Sequence, residues 1–358
     1  MSKALITEQH LTNIADAIIS KGGASAPLKP SEMAAAIRAI PTGNWIKRPW
    51  FEGAAVKNIH AWLRFDKKNE DKVSQLVFKY KSADGLVIDW GDGKADTYPA
   101  SSSYLRVDVT HRYGDEIEET LLEISGASEI VNSNSPMFYN TSAGTPYYNS
   151  APECVRQLQI GKGFNSISSA MPVYAFFGNM PNLEFLKLEE GIKTIGPSSF
   201  SNNTNIKEIE FNNDLESVSS TFGPLRYLTN LSLPRGLQIV GNCFSMLYHC
   251  RKLTLPVGNG VFGTEMNYSF DGIGELEELV IPDGITAFST TQLFRYFRQS
   301  RSGLTITCYC REPPQLASSS FWGSASTIKI RIPKGTMSLY ESATNWSTYS
   351  GRYEEMES

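Results

Sequence analysis

The chain is poor in histidine and cysteine. It has only four histidines, His10, His60, His111 and His249, and they sit in unrelated segments. A metal site needs about four suitably placed ligands, so no metal centre is expected. Five cysteines are too few, odd in number and irregular in spacing for a complete disulfide framework, although Cys308 with Cys310 and Cys243 with Cys250 form close pairs. Buried reduced thiols are the expectation. No run of ~18 apolar residues occurs, which excludes a membrane-spanning helix. Neither sign of charge dominates: 33 Lys and Arg stand against 37 Asp and Glu, interspersed, for a net charge of −4. That argues against a nucleic-acid binder relying on phosphate neutralisation. The opening residues "MSKALITEQHLTNIADAIIS" lack a basic segment followed by an unbroken apolar run. A secretory signal is therefore not expected, and work outside a cell implies release by lysis or in a particle.

The motifs of common enzymes are also missing. There is no G-x-S-x-G, no H-E-x-x-H and no Walker loop. "GNGVFG" at 258–263 matches G-x-G-x-x-G after a strand-like "KLTLP", but the "TEMNYSFDG" that follows is loop-like and no βαβ unit surrounds it. Carboxylates are plentiful, and a scattered pair could support glycoside hydrolysis, yet solvated surface acids are the favoured reading. No catalytic residue and no cofactor is assigned.

What is present is a repeat. Val155, Leu158 and Ile160 are followed by Phe164 and Ile167; Leu183, Leu186 and Leu188 by Ile192 and Ile195. The pattern returns from 206, 228, 250 and 276, at intervals of 22 to 28 residues. That period belongs to a leucine-rich solenoid. In L-x-L, alternate residues point to one face, so a short strand buries two leucines. A turn follows, with glycine at 191, 236 and 284 and Asp214 in the matching place. The next apolar pair suits a short return strand, with Phe200, Phe222 and Phe244 filling the gap beneath it. One coil cannot cover its own apolar face, so each needs a neighbour. "LPRGLQIVGNCF" (233–244) and "IPDGITAF" (281–288) resemble the leucine-rich repeats of bacterial surface antigens of the BspA-like type. The segment "YCREPPQLASSSFWGSASTIKIRIPKGTMSLYESATNWSTY" resembles the unit that closes such arrays, with Pro333, Lys334, Gly335, Tyr340, Trp346 and Tyr349 on its landmarks. Extra residues at 169–182, 258–274 and 290–303 are expected to form loops on one face.

Ahead of the repeats, Leu11, Ile14, Ala15, Ile18 and Ile19 make one apolar helical stripe, with Thr7 as N-cap and Gly22-Gly23 as stop. Pro30-Ser31-Glu32 starts a second helix carrying Met33, Ile37 and Ile40, which Pro41 ends. "LTNIADAIISKGG…LKPSEMAAAIRAI" is similar to a short module of tail-associated proteins of phages and prophages. "SQLVFKY", "LVIDW", "LRVDVTHRY" and "EETLLEI" read as strands. "DWGDGKADTYP" with "HRYGD" resembles a PKD-type β-sandwich, carried by Trp90, Gly91, Asp92, Gly93, His111 and Tyr113. Asp89, Asp92 and Asp96 lack the alternate-residue spacing of a calcium loop, so a structural turn is expected. The Tyr-, Ser- and Asn-rich stretch 131–153 reads as a linker or ordered loop whose tyrosines pack on the adjacent sheet.

The expected fold class is mainly β: a two-helix attachment module (1–43), a PKD-like β-sandwich (44–130), the linker or loop (131–153), a solenoid with a parallel sheet (154–334) and a C-terminal cap (335–358). Residues between the buried leucines should project outward in ladders: Gln157 and Gln159, Phe185 and Lys187, Glu208 and Glu210, Asn230 and Ser232, Lys252 and Thr254, Glu278 and Val280. At ~4.8 Å per strand, six coils offer a face about 24 Å long. Arg295, Arg298 and Arg301 form a cationic patch in an insertion, and either bind an acidic polymer or solubilise the loop. The resemblances imply a phage or prophage tail-associated adhesin, located in the virion tail. Its solenoid would bind a bacterial surface glycan or protein. Its N-terminal module would meet other tail proteins, and homo-oligomers are compatible with this. A bacterial cell-surface adhesin and a polysaccharide-degrading enzyme are the alternatives.

Overall fold

A computed structural model of the chain describes residues 57–65, 72–133, 136–139, 153–167, 176–244, 246–258, 260–262, 270, 273–288, 303–316 and 328–357. The chain divides into two units, Met1–Ala54 and Ala55–Ser358. The expected two-helix module falls in the first and lies outside the described residues. The second unit is mainly β, and no described helix is long and apolar enough to cross a membrane.

Among the described residues its first part has eight strands: β1 (Ile59–Arg64), β2 (Val73–Ser82), β3 (Leu86–Asp89), β4 (Ala95–Tyr98), β5 (Ser101–Arg112), β6 (Glu119–Ser125), β7 (Glu129–Val131) and β8 (Phe138–Tyr139). They form two sheets. One runs β1-β6-β3-β4; the other runs β5-β2-β7, with β8 also on β2. Period-two alternation explains the pairing of faces. Along β2 Leu76, Phe78 and Tyr80 stand at alternate positions, so they point to one face, and they share one core with Ile59, Ala61 and Leu63, with Leu86 and Ile88, and with Leu122 and Ile124. The sandwich passes the expected boundary at 130, because Phe138 and Tyr139 pair with Leu76 and Gln75. The first part of the expected linker is thus sheet; residues 140–152 lie outside the description.

The "WGDG" turn is built as a structural device. Trp90 is buried and stacks flat on His111, with ring centroids 4.5 Å apart. Its indole Nε1 donates to Asp96 at 3.0 Å, Asp92 Oδ2 lies 2.9 Å from His111 Nε2, and Asp89 accepts the Gly91 amide at 2.9 Å. All three aspartates serve the turn.

The repeats form coils of two strands each. β9 (Val155–Ile160) and β10 (Ser166–Ile167) make the first coil, β11 (Phe185–Leu188) and β12 (Thr194–Ile195) the second, and β13 (Glu208–Glu210) and β14 (Ser217–Ser219) the third. β15 (Asn230–Ser232) and β16 (Gln238–Val240) make the fourth, β17 (Lys252–Thr254) and β18 (Gly260–Phe262) the fifth, and β19 (Glu278–Ile281) and β20 (Ile285–Phe288) the sixth. All pair in parallel with their counterparts in the next coil, with two interruptions. The front ladder breaks between β13 and β15, and the return ladder between β16 and β18. The core is continuous across both breaks because a phenylalanine spine bridges them. Phe177, Phe200, Phe222, Phe244 and Phe270 stack at 5.5, 5.3, 5.5 and 5.9 Å. The end members, Phe177 and Phe270, come from the insertions at 169–182 and 258–274, so those insertions feed the core. Beside the spine, Ser199, Thr221 and Cys243 repeat at the same place in successive coils. Their buried side chains donate to backbone carbonyls that the bend leaves over, among them Ile167 and Gly196, Ile195, and Val218. All five cysteines are buried thiols, as expected.

Both ends of the array are sealed. At the front, β1 pairs antiparallel with β9, so one seven-stranded sheet runs from the sandwich into the first three coils. At the back, β21 (Leu304–Cys308), β22 (Ile328–Ile332) and β23 (Tyr353–Glu355) extend the front ladder, and a short helix, α1 (Met337–Ser342), closes it. Tyr340, Trp346, Tyr349 and Tyr353 are buried there, and Trp346 Nε1 donates to the Pro314 carbonyl at 2.6 Å.

Candidate functional site

The outward residues of the front ladder fall into two files. Strand register sets Gln157 beside Phe185 and Phe185 beside Glu208, and past the break Asn230 beside Lys252 and Lys252 beside Glu278. The second file runs Gln159, Lys187, Glu210, then Ser232, Thr254 and Val280. Parallel register alone brings these residues together, because matched positions of successive coils stack ~4.8 Å apart.

Not all of them face water. Gln157, Gln159 and Phe185 are 0%, 5% and 1% exposed, which corrects the expectation that they read a ligand. The cause is β1. It lies against β9, placing His60 beside Gln159 and Trp62 beside Gln157. Gln159 Oε1 lies 3.0 Å from His60 Nδ1, and its amide reaches Glu189. His60 Nε2 lies 2.9 Å from Glu123 of β6. Burial lowers the His60 pKa below its ordinary value, against the opposing pull of Glu123 and the Gln159 hydrogen bond. Gln159 is therefore a connector between sandwich and solenoid.

Lys187, Glu208 and Glu210 are half-buried; Asn230, Ser232 and Lys252 are exposed; Thr254 is half-buried. The charges are laterally paired. Lys187 meets Glu189 at 2.8 Å, and Lys252 meets Glu278 at 2.8 Å. The face thus carries alternating polarity with no excess sign. Arg295, Arg298 and Arg301 lie outside the described residues.

The sequence reading stopped the face too early. β21 and β22 add Thr305, then Lys329 and Arg331, in register with Glu278 and Val280, and Glu354 of β23 pairs with Lys329 and Arg331; Thr307, between Val280 and Arg331, is buried. The signal was present as "LTITC" and "IKIRI", which alternate like the other rungs. A second missed feature sits just before each front strand. Tyr227 is 48% exposed and stacks on His249 at 5.9 Å, and His249 Nδ1 lies 3.3 Å from Glu275. These three residues hold equivalent places in the fourth, fifth and sixth coils.

Residues 169–301 match the BspA type leucine rich repeat region, in six copies. No curated relative matches the chain. The geometry and this match define a mainly β protein whose C-terminal part is a BspA-type leucine-rich-repeat solenoid, a class of repeat that points to surface adhesion or protein binding.

Proposed function

We propose that this chain is an adhesin whose solenoid binds a bacterial surface receptor, glycan or protein, and that it acts as a tail-associated protein of a phage or prophage. The observation that carries the first part is the front ladder from the fourth coil onward. It is a rigid, solvent-facing row of Asn230, Ser232, Lys252, Thr254 and the rungs behind them, with mixed polarity suited to wet recognition. The tail assignment is supported by the likeness of residues 11–40 to a tail-associated module. On this reading the PKD-like sandwich acts as a spacer that also seals the first coil.

Cell binding by the full chain tests the proposal. A fragment beginning at 154 would strip β1 from β9 and uncover Gln157 and Gln159, so the whole protein is used. Asn230→Arg combined with Lys252→Glu is expected to weaken binding to a responsive strain by about tenfold or more, or ~1.4 kcal/mol, at unchanged Tm. Undiminished binding would remove the ladder from the receptor site. Mass spectrometry of purified particles checks the tail assignment, which fails if the chain is absent from them. Sustained release of short products from host polymer would instead favour a depolymerase.

A further inference from the structure

A cleft of about 590 Å³ lies where sandwich and solenoid join, away from the ladder residues discussed above. One wall is β7 with Ser128 and Glu129. The other is the turn from β9 to β10, with Lys162, Asn165 and Ser166, and Glu190 of the second coil closes one end. Ile130 and Phe164, both buried, line its floor.

The walls are locked together before any ligand arrives. The Ile130 amide donates to the Gly163 carbonyl at 2.9 Å. The buried Asn58 side chain accepts the Ala127 amide at 2.9 Å and donates to the Ala127 and Lys162 carbonyls at 2.9 and 2.6 Å, so it clamps both walls at once. A Cβ on Gly163 would stand 2.8 Å from Asn58 Nδ2, and that residue's φ is +90°, so the clamp needs glycine there. Of the lining residues, Glu129 is itself held from outside the cleft, by an ion pair from Lys81 at 2.8 Å and a hydrogen bond from the Tyr104 hydroxyl. Lys81 Nζ lies 4.1 Å from the centroid of the Tyr104 ring, which remains 41% exposed. Rigid walls reduce the ordering cost of binding.

We propose that this cleft is a binding site for a short, neutral saccharide. The size falls within the usual range for small-ligand sites. Glu129 and Glu190 supply acceptors, and Lys162 and Asn165 supply donors; among the described lining residues Glu129 is already neutralised by Lys81 behind it, which leaves Glu190 and Lys162, one of each sign. With no surplus charge, neither a phosphate nor a polycation is favoured. Paired donors and acceptors suit hydroxyl groups. The site is distinct from the ladder and does not rest on its receptor role.

The test is an array of gluco-, galacto-, manno- and N-acetylglucosamine oligomers probed with the full chain, followed by saturation-transfer NMR on the hits. At least one oligomer binds, Glu129→Gln weakens it at least about tenfold, and Asn165→Trp, an exposed change that fills the cleft, abolishes it at unchanged Tm. Lys252→Glu on the ladder leaves the saccharide signal in place, so the two readings fail separately. No hit on the array, or hits that survive both cleft variants, overturns the proposal.

Discussion

Single side chains decide how this molecule tolerates its own bends. Phe222 stacks on Phe200 and Phe244 and meets Phe211 edge-on at 6.0 Å. It sits where the front ladder is broken, so ring packing there substitutes for strand pairing. Phe222→Ala should cost about 3–5 kcal/mol, read from urea unfolding, while Phe222→Leu should cost less. Asp92 shows the electrostatic counterpart. Burial opposes its ionisation, but the His111 hydrogen bond, the Lys94 amide and the nearby positive charges outweigh that, and its pKa lies below the ordinary 3.8. A depressed carboxyl contributes stability that is present at neutral pH and lost as pH falls below the unfolded value and through the folded one. Asp92→Asn should therefore lower Tm at pH 7 and flatten its decline below about pH 4. An unchanged acid limb would mean that the carboxylate contributes nothing to the turn.

At the scale of elements, each coil is a strand, a turn and a return strand, and the turns differ in what they demand. Gly91 in the sandwich has φ +77°, and an added Cβ would stand 2.2 Å from the Leu121 carbonyl oxygen. Gly236 in the fourth coil has φ +72° and open space around it. Gly236→Ala should cost only the left-handed backbone penalty, roughly 1–2 kcal/mol. Gly91→Ala must in addition displace backbone and should cost clearly more; thermal unfolding of the pair ranks them. The coil was legible in the sequence because its causes are local: alternation in L-x-L, a turn former after it, an aromatic on the return. The breaks between β13 and β15 and between β16 and β18 were not, since the third and fourth coils share the same apolar spacing. The rungs at Thr305 and Lys329 carry the same alternation but follow long insertions, which hid their register.

Across the whole second unit, one sheet spans sandwich and solenoid. A solenoid alone would unfold as a row of weakly coupled coils. Here the β1–β9 pairing couples the first coil to the sandwich core. Ile124→Ala, in β6 and away from the repeats, should therefore raise hydrogen exchange in the β9 amides of Val155–Ile160 as well as in β6. Protection confined to its wild-type value in β9 would show that the two parts open independently. The same coupling accounts for part of the difference between residues whose local patterns are alike. Asn230, Ser232 and Lys252 stand on the surface as their alternation requires, while Gln157, Gln159 and Phe185 have equivalent local patterns and are buried.

By itself the sequence determined that the chain coils, how often, and that the repeat leucines with Phe200, Phe222 and Phe244 turn inward, because a coil's inside and outside are set within a few residues. Only the tertiary structure decided which outward residues meet solvent. That outcome depends on a partner 99 residues away in the chain, His60 against Gln159, and on a seam whose two walls are held by Asn58 from across 69 and 104 residues. Local periodicity carries no information about contacts at such separations, so neither the buried start of the ladder nor the cleft at the junction could be read from the repeat.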